Sequence, residues 1–160
     1  RRVLFRSLFM GFKSGYVKNQ ASEESVTITS GDFAGGTTQH VSYIRLKLDR
    51  WYGGMTQNQR VQLMFGPQIT PDQVNAFTND PQSKPEALNS DAVTYGMVGH
   101  AQAAARARTT TGPVIIRRDF DSVDGGVAGL HFVAVQKAID DFVTMRQAMN
   151  ATDEIGRAHV

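Results

Sequence analysis

The chain has 160 residues, 41% of them hydrophobic and 20% charged, and no cysteine. These proportions fit one globular domain with enough length to bury a core. The lack of cysteine excludes disulfides, zinc–thiolate sites, iron–sulfur clusters and thiolate-ligated haem together. No apolar run approaches the roughly 20 residues that a bilayer span needs.

The formal charge of +2 is distorted by the ends. A DNA strand encoding Arg2–Ser7 can, when reverse-complemented and shifted in frame, encode Ile155–Val160, a relation unrelated natural termini rarely have. Residues 1–7 and 154–160 are therefore expected to be translated sequencing adapter. Residues 8–153 are expected to be native, a fragment whose true ends are missing, so export cannot be read. The two end segments carry four of the 17 basic and one of the 15 acidic residues, which leaves 13 basic against 14 acidic and a native charge of −1. Nucleic-acid binding thereby loses its compositional support. Arg1-Arg2 ahead of Leu8-Phe9-Met10 is not an export signal on this reading.

The segment from Leu8 to Tyr16 carries two glycines four apart among apolar residues and reads as an ordered loop. Val26 and Ile28, alternating with Ser25, Thr27 and Thr29, predict a short strand that ends at Ser30-Gly31-Asp32. Phe33 to Thr38, with Gly35-Gly36, allows close approach of backbone to a neighbour. From Gln39 to Leu48 the apolar residues Val41, Tyr43, Ile44, Leu46 and Leu48 predict a long strand with one shift in phase. Thr56 to Phe65 reads as a short amphipathic helix stopped by Gly66-Pro67. Thr70-Pro71-Asp72-Gln73 combines a hydroxyl cap, a proline at the first helical position and a capping glutamine, and so starts a second helix. Asn79 to Asp91 is expected to be a surface excursion with a helical turn near Glu86 to Leu88.

Met97 to Arg108 is alanine-rich, which favours helix and leaves little bulk on any face, so a flat group could lie against it. Val114-Ile115-Ile116 enters a strand, Asp124-Gly125-Gly126 turns, and Leu130 to Val135 returns as its antiparallel partner. Ala138 to Met149 closes with Ile139, Phe142, Val143, Arg146 and Met149 at helical spacing. The order predicts an α+β, ferredoxin-like βαββαβ antiparallel sheet with helices on one face. It is incomplete at both ends, lacks its last strand and carries a helical insertion that includes His100. There is no internal repeat.

In this order the motifs resemble the C-terminal part of the dye-decolorizing (DyP-type) haem peroxidases, from Gly11 to about Met149. That family has a Gly-x-x-Asp-Gly loop, and here Gly11-Phe12-Lys13-Ser14-Gly15 stands in its place. It has a Gly-Gly-(Ser/Thr) strand entry with a long arginine-bearing strand, matched by Gly35-Gly36-Thr37 and Ile44-Arg45-Leu46. Then come a proximal histidine, matched by His100, an Ile-(Leu/Val)-Arg-Arg strand, matched by Ile115-Ile116-Arg117-Arg118, and a Gly-Leu-x-Phe strand, matched by Gly129-Leu130-His131-Phe132. Residues 8–153 are thus expected to be the C-terminal part of such a domain.

The resemblance implies one haem b per domain with His100 as the iron ligand. It makes Arg117 the arginine facing peroxide, with Arg118 in that role if the register slips by one. Gly11, Gly15, Gly36 and Thr37 would line the cofactor. The implied partners are hydrogen peroxide and a bulky electron donor, with no nucleic acid and no membrane span, and a homo-oligomer is allowed.

Two departures stand out. Ser14 occupies the place of the family's distal aspartate, and a hydroxyl has no pKa suited to moving peroxide protons. Asp119 or Asp121 could substitute if the strand is regular enough to put them on the side of Arg117. In addition, Ser42-Tyr43 stands where the family's strand carries more arginines, so propionate contacts would differ. Two other readings follow from the same residues: a haem-binding but catalytically weak relative in haem handling or sensing, and a ferredoxin-like structural domain without haem. His40 and His131 are assigned to structure, and Met145 and Met149 to the core.

Overall fold

A computed structural model describes residues 9–12, 20–76, 85–108 and 112–150. Ser14 and Gly15 lie outside them, as do both segments read as adapter.

Three antiparallel strands form the sheet: β1 (Thr38–Arg45), β2 (Ile116–Ser122) and β3 (Gly129–Gln136), in the order β1-β3-β2. β3 is the central strand, flanked by β1 on one side and β2 on the other. The fold is α+β and ferredoxin-like, as the element order predicts.

Between β1 and β2 runs the insertion, with helices α2 (Leu48–Gly53), α3 (Gln57–Phe65), α4 (Pro71–Ala76), α5 (Leu88–Tyr95) and α6 (His100–Arg106). Helix α1 (Glu23–Val26) precedes the sheet and α7 (Ile139–Asn150) follows it. Local caps set several of these boundaries. Thr56 accepts from the Gln59 backbone while the Gln59 side chain accepts from the Thr56 N–H at 2.8 Å, a reciprocal box that starts α3. At α4 the Gln73 side chain likewise accepts from the Thr70 N–H at 2.8 Å.

In place of the short strand expected around Val26 and Ile28, Val26 ends α1 and Thr27 caps it, with Ile28 beyond the helix. Ser22 accepts from the Ser25 N–H and two glutamates fill the first turn, so a capped helix start outweighs a three-residue alternation. The long strand expected to Leu48 stops at Arg45, and Leu48 begins α2. Its Trp51 is buried and donates its indole N–H to the Met10 carbonyl at 3.0 Å, which ties α2 to the first described segment. The alanine-rich helix is shorter than expected, because Gly96 caps α5 in the left-handed conformation and Gly99 is extended.

Register assigns the two sheet faces. Arg117, Ala134 and His40 stand in one row, Asp119, Phe132 and Ser42 in the next, and Asp121, Leu130 and Ile44 in the third. Helix α7 covers the β1–β3 part of this face: Phe142 stacks on His40 with ring centroids 3.8 Å apart and reaches Phe132 at 6.4 Å. The opposite face carries Tyr43, His131, Phe120, Val41 and Arg118. Val41, Tyr43 and Phe120 are exposed there. A second core, built from Val61, Ile69, Leu88, Ala92 and Ala103, lies inside the insertion.

Candidate functional site

His100 is the first residue of α6, which packs on α3 and α7, while α7 lies on β1 and β3. Its position is fixed by two close approaches. Gly99 has no room for a side chain: a Cβ there would overlap the backbone of Phe65 and Gly66. Gly66, at φ 143°, adopts a conformation that favours glycine and lies against the Gln102 side chain. The end of α3 is thereby locked to the start of α6.

A buried polar chain reinforces this joint. Gln102 accepts from the Gly99 N–H at 2.8 Å and donates to Asp91 at 2.7 Å, and Asp91 also accepts from Gln68 at 2.6 Å. Asp91 and Gln102 are almost fully buried. Each Asp91 carboxyl oxygen thereby has a hydrogen-bond partner. Sequence reasoning missed this network. The glutamine three residues after Gly99 was a readable cap signal, but nothing local pointed to Asp91.

Solvent reaches His100, yet protein surrounds it closely enough that burial is the first cause of its lowered pKa, followed by the charge of Arg117 and then Arg146. The lowered pKa favours the neutral imidazole. Arg117 lies half-buried on β2, on the sheet face that carries His40 and Phe132, with its pKa lowered first by burial and then by Arg108 while it stays charged. Its backbone N–H is anchored by the Gln20 side chain at 2.7 Å. Asp119 is two residues further along the same face and also half-buried, with its pKa raised by burial against the pull of Arg117.

The structure thus brings His100, Arg117 and Asp119 into mutual electrostatic reach. Arg118 is on the opposite face, exposed, and donates to the Arg117 carbonyl at 2.7 Å, so it points away from the Arg117–Asp119 row. Gly11, at φ 82°, sits beyond the Asp121 end of the sheet, where the neighbouring Phe9 N–H donates to Asp121 at 3.0 Å. Gly36 and Thr37 sit beyond the other end and line a hollow of about 480 Å³ with Ile28, Phe33, Ala34 and Thr38. These glycines therefore flank the Arg117–Asp119 row from opposite ends rather than meeting at one point. His131 is on the far face, 2.6 Å from Asp124.

The lowered pKa of His100 has a sign that can be tested. The unfolded chain takes up this proton first, so the contribution to stability is present above the ordinary 6.5 and is lost as pH falls from there through the folded value. Asp119 acts in the opposite direction: its contribution is present below the ordinary 3.8 and is lost as pH rises through its raised folded value. Urea midpoints measured from pH 7.5 down to 5 are expected to fall for the wild type and to fall less for His100→Gln. Equal slopes would contradict a neutral His100.

The description of a protein family matches residues 6–160, nearly the whole chain. The chain belongs to DUF7405, a family of unknown function. No curated protein matches its sequence. Among solved structures, this DUF7405 chain is similar to a dye-decolorizing protein from V. cholerae, with a TM-score of 0.56 and 21% identity, covering 93% of this chain and 45% of that one. It is also similar to the encapsulated DyP-type peroxidase from Mycobacterium smegmatis, with a TM-score of 0.55 and 18% identity, covering 94% of this chain and 46% of that one. At such identities the likeness is one of fold. The chain spans less than half the length of each of these structures.

Among the described residues no helix is long and apolar enough to cross a membrane. Among them, too, no group of three or more His, Asp or Glu side chains could hold a metal ion.

Proposed function

We propose that this chain is part of a haem-dependent, peroxidase-like protein that reduces hydrogen peroxide and oxidises a bulky donor by electron transfer. The observation that carries the reading is His100: a solvent-reached imidazole that opens a small-residue helix, within electrostatic reach of Arg117 and with its pKa lowered. The unprotonated imidazole that this favours keeps a lone pair for iron. A single histidine suffices as protein ligand only where a macrocycle supplies the other donors, and haem does so. Ala101, Ala104 and Ala105 add no bulk on α6, and the arginines acting on His100 and Arg117, among them Arg108 and Arg146, suit the propionates of a porphyrin.

His100 would hold one haem b as axial ligand, Arg117 would face the peroxide, and Gly11, Gly15, Gly36 and Thr37 would border the cofactor. When bound, haem supplies the redox-active iron that passes electrons from donor to peroxide. The chain's own contribution is electrostatic and protonic. The Arg117 guanidinium donates hydrogen bonds to a peroxide oxygen and stabilises the negative charge that grows as the O–O bond lengthens.

Ser14, in place of a carboxylate, favours a second reading: a haem-binding relative acting in haem handling or sensing. One assay separates the two. The protein from the intact gene, loaded with haem, should oxidise a dye with hydrogen peroxide well above the rate of free haem. A rate no higher than free haem, with haem bound, supports the second reading instead.

A further inference from the structure

We propose that Asp119 is the proton carrier beside Arg117, acting in place of the carboxylate that position 14 lacks; the proposal rests on the haem-peroxidase reading above.

Strand register sets the arrangement. β2 is regular from Ile116 to Ser122, so Arg117, Asp119 and Asp121 project to one side, roughly 7 Å apart along the strand. Asp121 is at the end of the row, exposed and occupied by the Phe9 N–H. Arg117 is at the other end. Asp119 lies between them, half-buried beside Phe132, and it is the carboxylate whose charge is felt at His100. The charged and titratable groups acting on it are Arg117, Asp121 and Arg118 on its own strand and His100 on α6; Arg146 on α7 acts on His100. His40, across Ala134 on β1, is stacked on Phe142.

Reduction of hydrogen peroxide consumes two electrons and two protons and yields two waters. The electrons come from the external donor by way of the haem. The chain's task is to move a proton between the peroxide oxygens. The Asp119 carboxylate takes the proton from one oxygen and returns it to the other. The O–O bond then breaks with its electron pair on the second oxygen, which departs as water rather than hydroxide, and the two electrons from the donor with two protons from solvent convert the remaining oxygen to the second water. Arg117 stabilises the charge while the proton is in transit. Burial raises the affinity of Asp119 for a proton, which suits a group that must hold one briefly, and Arg117 keeps it from being held permanently.

The test uses the haem-loaded protein from the intact gene and hydrogen cyanide as probe, a weak acid that must give up its proton to bind ferric haem as cyanide. Wild type, Asp119→Asn, Asp119→Glu and Asp121→Asn are compared for Soret absorbance and for the cyanide association rate from pH 4 to 8. Asp119→Asn is expected to keep the Soret band and to slow association by about 10²–10⁴-fold, the usual worth of general acid–base help, with loss of the pH dependence. Asp119→Glu should restore part of the rate, and Asp121→Asn should leave it unchanged. A Soret band with Asp119→Asn rates within twofold of wild type overturns the proposal and leaves the haem reading standing. A wild type without a Soret band overturns both.

Discussion

Replacing Gly99 with alanine is expected to destabilise the domain by about 3 kcal/mol or more, at the upper end of what overpacking costs. The reason is local and severe: the added Cβ falls on the backbone of Phe65 and Gly66, which cannot rotate away as a flexible side chain would. Relief would require α6 to withdraw from α3, and that movement would strain the bond between the Gly99 N–H and Gln102 and, through Gln102, the buried Asp91. An uncompensated buried carboxylate is itself expensive. Urea unfolding should show the loss as a lowered midpoint with an unchanged slope. Gly125→Ala is the matched control: its Cβ meets nothing within 4 Å, and only its positive φ is unfavourable. A Gly99→Ala midpoint equal to that of the control would mean that the α3–α6 joint is loose and that His100 is not held in place by it.

Arg117→Leu is the second large expected effect. Leucine keeps much of the packing at the edge of β2 and leaves the backbone bond to Gln20 in place, so the sheet should survive. What disappears is the guanidinium. With haem loaded, kcat/KM for peroxide-dependent dye oxidation should fall by about 10²–10³-fold, the loss that follows removal of a charge-stabilising donor, while the Soret band persists. Arg118→Leu, on the other face, should change kcat/KM by less than twofold. If the two variants are affected equally, Arg117 does not face the peroxide.

The contrast between Arg117 and Arg118 illustrates what the sequence could and could not specify. The residues Ile115-Ile116-Arg117-Arg118 announce a strand, and a period of two guarantees that the arginines diverge. Which of them faces inward depends on pairing with β3, an element reached only after the next turn. The same alternation, read forward, places Asp119 and Asp121 beside Arg117. The three strands, the closing helix and the capped starts of α3 and α4 were legible because each rests on local pattern or local hydrogen bonds. α2 was not. Lys47 offers no capping side chain, and Leu48 continues the apolar run of the strand before it. Val26 was misread because three alternating residues are a weaker signal than a serine cap followed by two glutamates. His100 was legible as a histidine opening a helix of small residues. The chain from Gln68 through Asp91 and Gln102 to Gly99 was not, since it joins residues from three parts of the insertion.

The central claim is that His100 ligates a haem. Its most direct test is a haem titration of the protein from the intact gene, wild type against His100→Ala, followed by Soret absorbance and by electron paramagnetic resonance of the ferric state. The account predicts a saturable Soret band at one haem per domain with the signature of histidine ligation, lost in His100→Ala and recovered when imidazole is added. A wild type that takes up no haem, or a His100→Ala variant with an unchanged spectrum, would contradict it.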